Sequence, residues 1–182
     1  MWVAGVADMA DDMEQLIQAF NARGAMSSPA LKLNVLMDLE RLPDGRVVSF
    51  LLHVLRNSAE HSEVRMHVLK RLRNGPLTPA ERCSAAGALE EVMVHGSSVD
   101  LRLQAALALG EFTDIGGVLS ALGSLALEPQ ELLDLRYSAF TSLERAGPTI
   151  ECVNLLRQLT YDEMLGRSAH SALARWHLDP RE

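Results

Sequence analysis

Apolar residues recur along the chain at intervals of three and four residues, the spacing of one face of an α-helix. No segment shows the strict alternation that is typical of a half-buried strand. Glycine and proline fall mainly between the periodic segments, where they mark helix ends and short connections. The pattern therefore predicts an all-α chain with helices of about ten to seventeen residues.

One helical segment returns five times. The five copies begin at Leu31, Val64, Leu101, Leu135 and Leu165, and their second positions, 32, 65, 102, 136 and 166, are 33, 37, 34 and 30 residues apart. Counted from that second position, offsets −1, +3, +4 and +7 are apolar in nineteen of twenty slots, His170 being the exception. These offsets form one stripe on a helix, which indicates a genuine repeat.

A further amphipathic segment precedes each copy. We predict these first helices at 11–23, 46–57, 80–95, 115–127 and 149–160. The chain is then a single domain, 1–182, of five two-helix repeats at approximately 8–43, 44–75, 76–113, 114–147 and 148–178. One such hairpin cannot bury both apolar faces alone, so neighbours must stack and share a continuous core.

The core of the repeat resembles the second helix of a HEAT repeat: an apolar residue, a basic residue, two variable positions, then small or apolar residues and leucine. It is most similar to the short bacterial HEAT-like repeats also found in phycobilisome-type lyases, and segments 64–72, 101–110 and 135–143 match best. The likeness covers about residues 11–177. It implies a right-handed α-solenoid (superhelix) of about five antiparallel HEAT-like hairpins, whose second helices line the concave face.

The basic position of the repeat is predicted to make structural contacts between neighbouring repeats. Its members are Lys32, Arg65, Arg102 and Arg136, and it is lost in the last repeat, as is expected of a cap. In HEAT-repeat families an Asp in the turn before the second helix often pairs with this Arg. The turns here carry no consistent Asp, so we expect no ladder of such pairs. Acidic residues occur instead two positions before the basic one, at Glu63, Asp100 and Asp134.

The resemblance to concave HEAT surfaces points to the polar offsets of the second helices as the place where a partner binds. Offsets +2, +6 and +9 are taken to lie opposite the apolar stripe. The candidate partner-binding residues there are Asn34, Asp38, Arg41, His67, Arg71, Asn74, Gln104, Glu111, Ser138, Ser142 and Arg145; Ala108, Ser168, Ala172 and Arg175 complete the set. Mixed charge and few aromatic residues suit a polar protein partner, and a plain solvated face is the alternative.

Composition narrows the choice of partner. Seventeen Lys and Arg against twenty-four Asp and Glu give a net charge of −7, and aromatic residues make up 4% of the chain. Both values argue against nucleic-acid binding. The charge is uneven, with seven basic and three acidic residues in 46–82 but four and twelve in 83–163. The basic run 70–73 could dock an acidic segment, or serve only as a soluble helix end.

No catalytic, metal or cofactor site is predicted. None of the six histidines forms a His-Glu or His-x-x-x-His motif. Cys83 and Cys152 belong to different repeats and are expected to be buried small hydrophobic residues. Gly116 and Gly117 are interpreted as a turn between helices. The sequence thus favours a non-enzymatic scaffold or adaptor that binds another protein; the alternative is a lyase or maturation-factor subunit for a tetrapyrrole (bilin) or metal-cofactor protein.

The remaining expectations concern location and assembly. No apolar run has transmembrane length and the first residues do not resemble a secretory signal, so we expect a cytoplasmic protein without a membrane partner. The first helix carries an apolar row whose expected role is core packing: Met9, Met13, Leu16, Ile17 and Phe20. This helix has no outer neighbour, so a terminal repeat is where a homodimer contact is expected; Trp2 and Trp176 point the same way.

Overall fold

The computed structural model describes residues 4–22 and 28–179, with side chains from Asp11 onward. Within these ranges there are ten α-helices and no strand, which confirms the all-α prediction. The helices are α1 (Ala4–Ala22), α2 (Pro29–Glu40), α3 (Arg46–Arg56), α4 (Ser62–Asn74), α5 (Pro79–His95), α6 (Val99–Leu109), α7 (Val118–Leu127), α8 (Leu133–Ala146), α9 (Ile150–Leu159) and α10 (Gly166–Arg175). None of these helices is both long and apolar enough to span a bilayer.

Local sequence explains where several helices begin. The Thr78 hydroxyl accepts from the Glu81 amide while the Glu81 carboxylate accepts from the Thr78 amide, a capping box that starts α5. Ser98 caps α6 in a similar way, through the Leu101 amide. The start of α7 at Val118 is three residues later than predicted, because Gly117 adopts φ +93°, a left-handed turn that glycine tolerates.

The chain divides into two compact units, residues 1–76 and 77–182. In the first unit, α1 packs on α2, α3 on α4, and α2 on α4. Its core includes Phe20 and Phe50, whose rings meet edge to face at 5.4 Å. The division falls where the repeat pattern changes from the second to the third repeat; a single domain of five repeats stays a prediction.

In the second unit, consecutive helices also pair: α5 with α6, α7 with α8 and α9 with α10. These pairs join through first helices (α5 to α7, α7 to α9) and through second helices (α6 to α8). Gly123 permits the approach of α7 to α9, since a Cβ there would lie 2.4 Å from a methyl carbon of Leu155. Of the second helices, α6 and α8 therefore lie side by side, and the side of each that turns away from α5 and α7 is the uncovered face.

The apolar stripe of the repeat forms the core of both units. Eighteen of its twenty positions are buried, including Leu39, Leu72, Leu109 and Leu143, each at 0% exposure. The two exceptions are Leu31, which is 47% exposed, and His170. Each belongs to the first or the last copy of the repeat, where the pattern is least regular.

Candidate protein-binding face

In the third, fourth and fifth repeats, offset +6 does not share the exposed face with offsets +2 and +9. Each residue turns a helix by about 100°, so offset +6 lies only about 20° from offset −1 of the buried stripe. Accordingly Ala108, Ser142 and Ala172 are each 0% exposed. The Ser142 hydroxyl donates to the Ala106 carbonyl oxygen at 2.7 Å, which locks α8 onto α6. The prediction that Ser142 contacts a partner is wrong.

The other ten candidates remain accessible to different degrees. Six are exposed: Asn34, Asp38, Arg41, Asn74, Glu111 and Arg145. Four are half-buried: His67, Arg71, Gln104 and Ser138. Residues at offset +9 are exposed in every repeat.

Most charged candidates already pair within the chain. Arg145 of α8 forms an ion pair with Glu111. Both residues occupy offset +9, in neighbouring repeats. In the first unit, His67 Nε2 lies 2.9 Å from Glu40 Oε1, and Arg71 Nε lies 3.9 Å from Glu40 Oε2. These pairs compete with any partner, so the charged positions are weaker candidates than their sequence pattern indicates.

The basic position of the repeat holds the two helices of a pair together. Arg65, Arg102 and Arg136 each donate from Nε to a carbonyl in the last turn of the preceding helix, those of Leu55, Met93 and Ala126, at 2.8, 2.8 and 2.9 Å. A helix end otherwise leaves such carbonyls without an intrahelical partner. These three bonds lie within a repeat, whereas the sequence predicted contacts between neighbouring repeats.

The same basic side chains also form a ladder toward the next repeat. Lys32 pairs with Glu60 at 2.6 Å, Arg102 with Glu131, and Arg136 with Asp162. Each acid lies in the turn before the following second helix, four or five positions ahead of the second repeat position there, which is Arg65, Arg136 or Gly166. The expectation of no ladder is therefore wrong: glutamate replaces aspartate in two of the three turns, which hides the pattern.

Arg65 is the exception in this ladder. It is 4% exposed, and no carboxylate pairs with it among the described residues. The sequence position five before the next basic residue is Ser97 rather than an acid. Burial without a counter-charge lowers the pKa of Arg65 below its usual value.

Two of the ladder carboxylates, Glu131 and Asp162, are stabilised in their charged form. The Arg102 guanidinium, followed by the Leu132 amide, lowers the pKa of Glu131. Burial alone would raise the pKa of Asp162, but the Leu165 amide, the Arg136 guanidinium and the Met164 amide outweigh it, and the pKa is lowered. These contacts fix the turns that lead into α8 and α10 beside the uncovered face.

Large apolar side chains emerge at this edge of the second unit. We call them the apolar ridge: Val99, Leu103, Leu133, Tyr137, Tyr161 and Met164. Val99, Leu133, Tyr137 and Met164 are 46%, 36%, 37% and 52% exposed, and Tyr161 is 84% exposed. The Tyr137 hydroxyl donates to the Met164 carbonyl oxygen at 3.3 Å, so the two residues are neighbours. Several large apolar side chains are therefore accessible on this part of the second unit.

The sequence interpretation missed this ridge although a signal was present. Offsets −3 and +1 are four residues apart and lie on the same side of a helix. They hold Val99 and Leu103 in one repeat and Leu133 and Tyr137 in the next. Because only polar offsets were considered as binding positions, these apolar residues were not identified as candidates.

Carboxylates line the ridge. Asp100, Asp134 and Glu163 directly neighbour Val99, Leu133 and Met164 in sequence, and all three are exposed. None has a cationic partner among the described residues.

The second unit has eight Lys and Arg against fifteen Asp and Glu, whereas the first has nine of each, so the whole net charge of −7 belongs to the second unit.

Two pockets lie elsewhere. One of about 210 Å³ in the first unit is lined by Phe20, Lys32, Phe50 and Glu60 among others, and its Lys32 pairs with Glu60 and lies 4.6 Å above the Phe20 ring. The second, about 260 Å³, is bounded by Phe140, Glu144, Arg167, Ser168, Ser171 and Arg175, and there Arg175 pairs with Glu144. In the described part of the chain, no three His, Cys, Asp or Glu side chains gather as metal ligands.

The remaining sequence expectations have mixed outcomes. Cys152 is buried as expected, and its pKa is raised to about 11 by desolvation and by the nearby Glu151 carboxylate. Cys83 of α5 is exposed, so the expectation that it is buried is wrong.

In α1, Met13 and Phe20 are buried, at 2% and 4% exposure. Trp2 and the side chain of Met9 lie outside the described residues.

Comparison of the chain with protein-family models, with curated proteins and with solved structures finds no match in any of the three.

Proposed function

We propose that the chain is a non-catalytic scaffold or adaptor that binds another protein on the uncovered face of its second helices. In this proposal the five repeats form a right-handed α-solenoid of antiparallel HEAT-like hairpins, and that face is its concave side. Support for the arrangement comes from the helix pairs, from the buried stripe and from the ladder of ion pairs that joins repeats within each unit.

The observation that carries the binding role is the apolar ridge. Soluble proteins rarely leave several large apolar side chains together in water unless the surface binds something. Tyr137 is central here, because it is aromatic, 37% exposed and in contact with Met164. Aromatic residues of this kind dominate the energetics of protein interfaces.

Affinity purification from the native host, compared between matched variants, tests the proposal. The test variant carries Leu133→Ser and Tyr137→Ser on the ridge. The control carries Ile150→Ser, which removes an apolar side chain that is 84% exposed at the start of α9, away from the second helices. We expect the ridge variant to lose a protein that the wild type and the control both retain.

Circular dichroism must show an unchanged helical fold in both variants. A captured protein that is retained by the ridge variant and lost from the control would overturn the proposal, as would identical captures by all three.

A further inference from the structure

The ridge combines exposed apolar side chains with exposed carboxylates. Exposed apolar side chains and exposed carboxylates alternate along it, as Val99 beside Asp100, Leu133 beside Asp134, and Met164 beside Glu163. The same apolar-acid pair thus recurs at the start of α6 and α8 and in the turn before α10. Because α6 packs on α8, the first two pairs lie on adjacent helices.

The carboxylates beside the ridge differ from the arginine-paired acids of the second unit. Glu131, Glu144 and Asp162 are each paired with an arginine. Asp100, Asp134 and Glu163 have no such partner within the described residues and are exposed at the surface. Since the second unit carries the whole net charge of the chain, this surface attracts positive charge.

We infer that the apolar ridge docks a basic amphipathic helix of a partner protein. Its apolar side lies against Leu133, Tyr137 and Met164, and its Lys and Arg side chains reach Asp100, Asp134 and Glu163. An amphipathic helix laid against an apolar surface is a common mode of peptide recognition, and charge complementarity sets its orientation and speeds its encounter. This inference rests on the proposed function and specifies the chemistry of the partner.

The probe is a fluorescein-labelled amphipathic peptide of about 18 residues, made of Leu on one side and Lys on the other. Two matched peptides accompany it: one with Glu in place of Lys, and one with Ser in place of Leu. Fluorescence anisotropy with the full chain measures binding. We expect the Leu/Lys peptide to bind at least about tenfold more tightly than either matched peptide. Its affinity should fall as the NaCl concentration rises.

Two protein variants locate the binding site. Leu133→Ser with Asp134→Asn removes one apolar-acid pair of the ridge. Ile150→Ser with Glu151→Gln removes the same kind of pair, also exposed, at the start of α9. We expect the first variant to bind the Leu/Lys peptide about tenfold more weakly than the wild type does. The second variant should bind it with unchanged affinity.

Equal loss in both variants, or binding of the Leu/Glu peptide as tightly as the Leu/Lys peptide, would overturn the inference. So would a concentration-dependent dimer in sedimentation velocity that Leu133→Ser and Tyr137→Ser abolish, because a second copy would then occupy the ridge. If these peptide results fail while a native partner still depends on Tyr137, the proposed function stands and only the basic amphipathic chemistry is lost.

Discussion

Arg136 forms an ion pair with Asp162, which joins α8 to the turn that precedes α10. The arginine side chain is 5% exposed and also donates to the Ala126 carbonyl oxygen of α7 at 2.9 Å. Through this pair the turn is fixed beside α8, where Tyr137 bonds to Met164. A structural ladder contact therefore builds part of the surface on which we propose that a partner binds.

A double-mutant cycle should measure this ion pair. We expect Arg136→Met alone to destabilise the second unit by about 3 kcal/mol, because Asp162 is left partly buried without its counter-charge. Adding Asp162→Asn should recover part of the loss and give a coupling energy of about 1–2 kcal/mol in urea unfolding. The exposed Arg41–Asp38 pair is the control, with coupling of about 0.5 kcal/mol or less. Equal coupling in the two cycles would contradict the assigned role.

Acid should weaken the ladder. Because the pKa of Glu131 and of Asp162 is lower in the folded chain than in the unfolded one, folded chains bind fewer protons at mildly acidic pH. The stability they contribute is present above the unfolded pKa of about 4 and is lost as the pH falls through the lower folded values. Thermal unfolding followed by circular dichroism from neutral to acidic pH measures this loss. Glu131→Gln should unfold at a lower temperature at neutral pH but show a shallower acid dependence; an unchanged slope would contradict the assignment.

The sequence predicted the helices and the core because both depend on local periodicity. Offsets −1, +3, +4 and +7 place Leu109 and Leu143 in the core whatever the detailed packing. The surface was harder to predict, because it depends on which side of each second helix its neighbour covers. Offset +6 is polar at Ser142, yet it faces α6 and is fully buried.

The ladder was hidden for a related reason. An acid in the turn was expected as Asp at one fixed position, whereas Glu60 and Glu131 lie five positions before the second repeat position of the next copy and Asp162 lies four before it. A longer side chain can reach the same guanidinium or ammonium group from a different turn position. In the structure, all three acids pair with the basic position of the preceding second helix.

The buried hydroxyl of Ser142 offers a test of the α6–α8 contact. Ser142→Ala should cost about 1 kcal/mol in urea unfolding, because the Ala106 carbonyl loses this donor. Ser142→Leu should cost more, about 2–3 kcal/mol, since its added atoms meet Gly110, where even a Cβ would lie 3.0 Å from the Ser142 hydroxyl oxygen. Ser138→Ala is the control, because that hydroxyl bonds only within its own helix, to the Asp134 carbonyl. Comparable losses at 138 and 142 would refute the buried contact.

The two thiols should react at very different rates. Cys83 is exposed, whereas Cys152 is buried, donates to the Leu143 carbonyl oxygen at 2.9 Å and has its pKa raised to about 11. The thiolate is the reactive form, so Cys152 should not react with an aromatic disulfide reagent at neutral pH until the chain unfolds. We expect one fast thiol per native chain and none in Cys83→Ser. Fast labelling of the Cys83→Ser variant would show that the second unit opens at Cys152.

Site-specific photo-crosslinking in the native host tests whether a partner protein binds at the apolar ridge. A benzophenone amino acid placed at Tyr137 samples the apolar ridge, and the same group placed at Ile150 samples an exposed apolar position away from it. We expect the group at position 137 to crosslink one discrete partner protein, and we expect that product to be absent when the group is at position 150. A crosslink from position 150 alone, or the same products from both positions, would contradict binding on the uncovered face of the second helices.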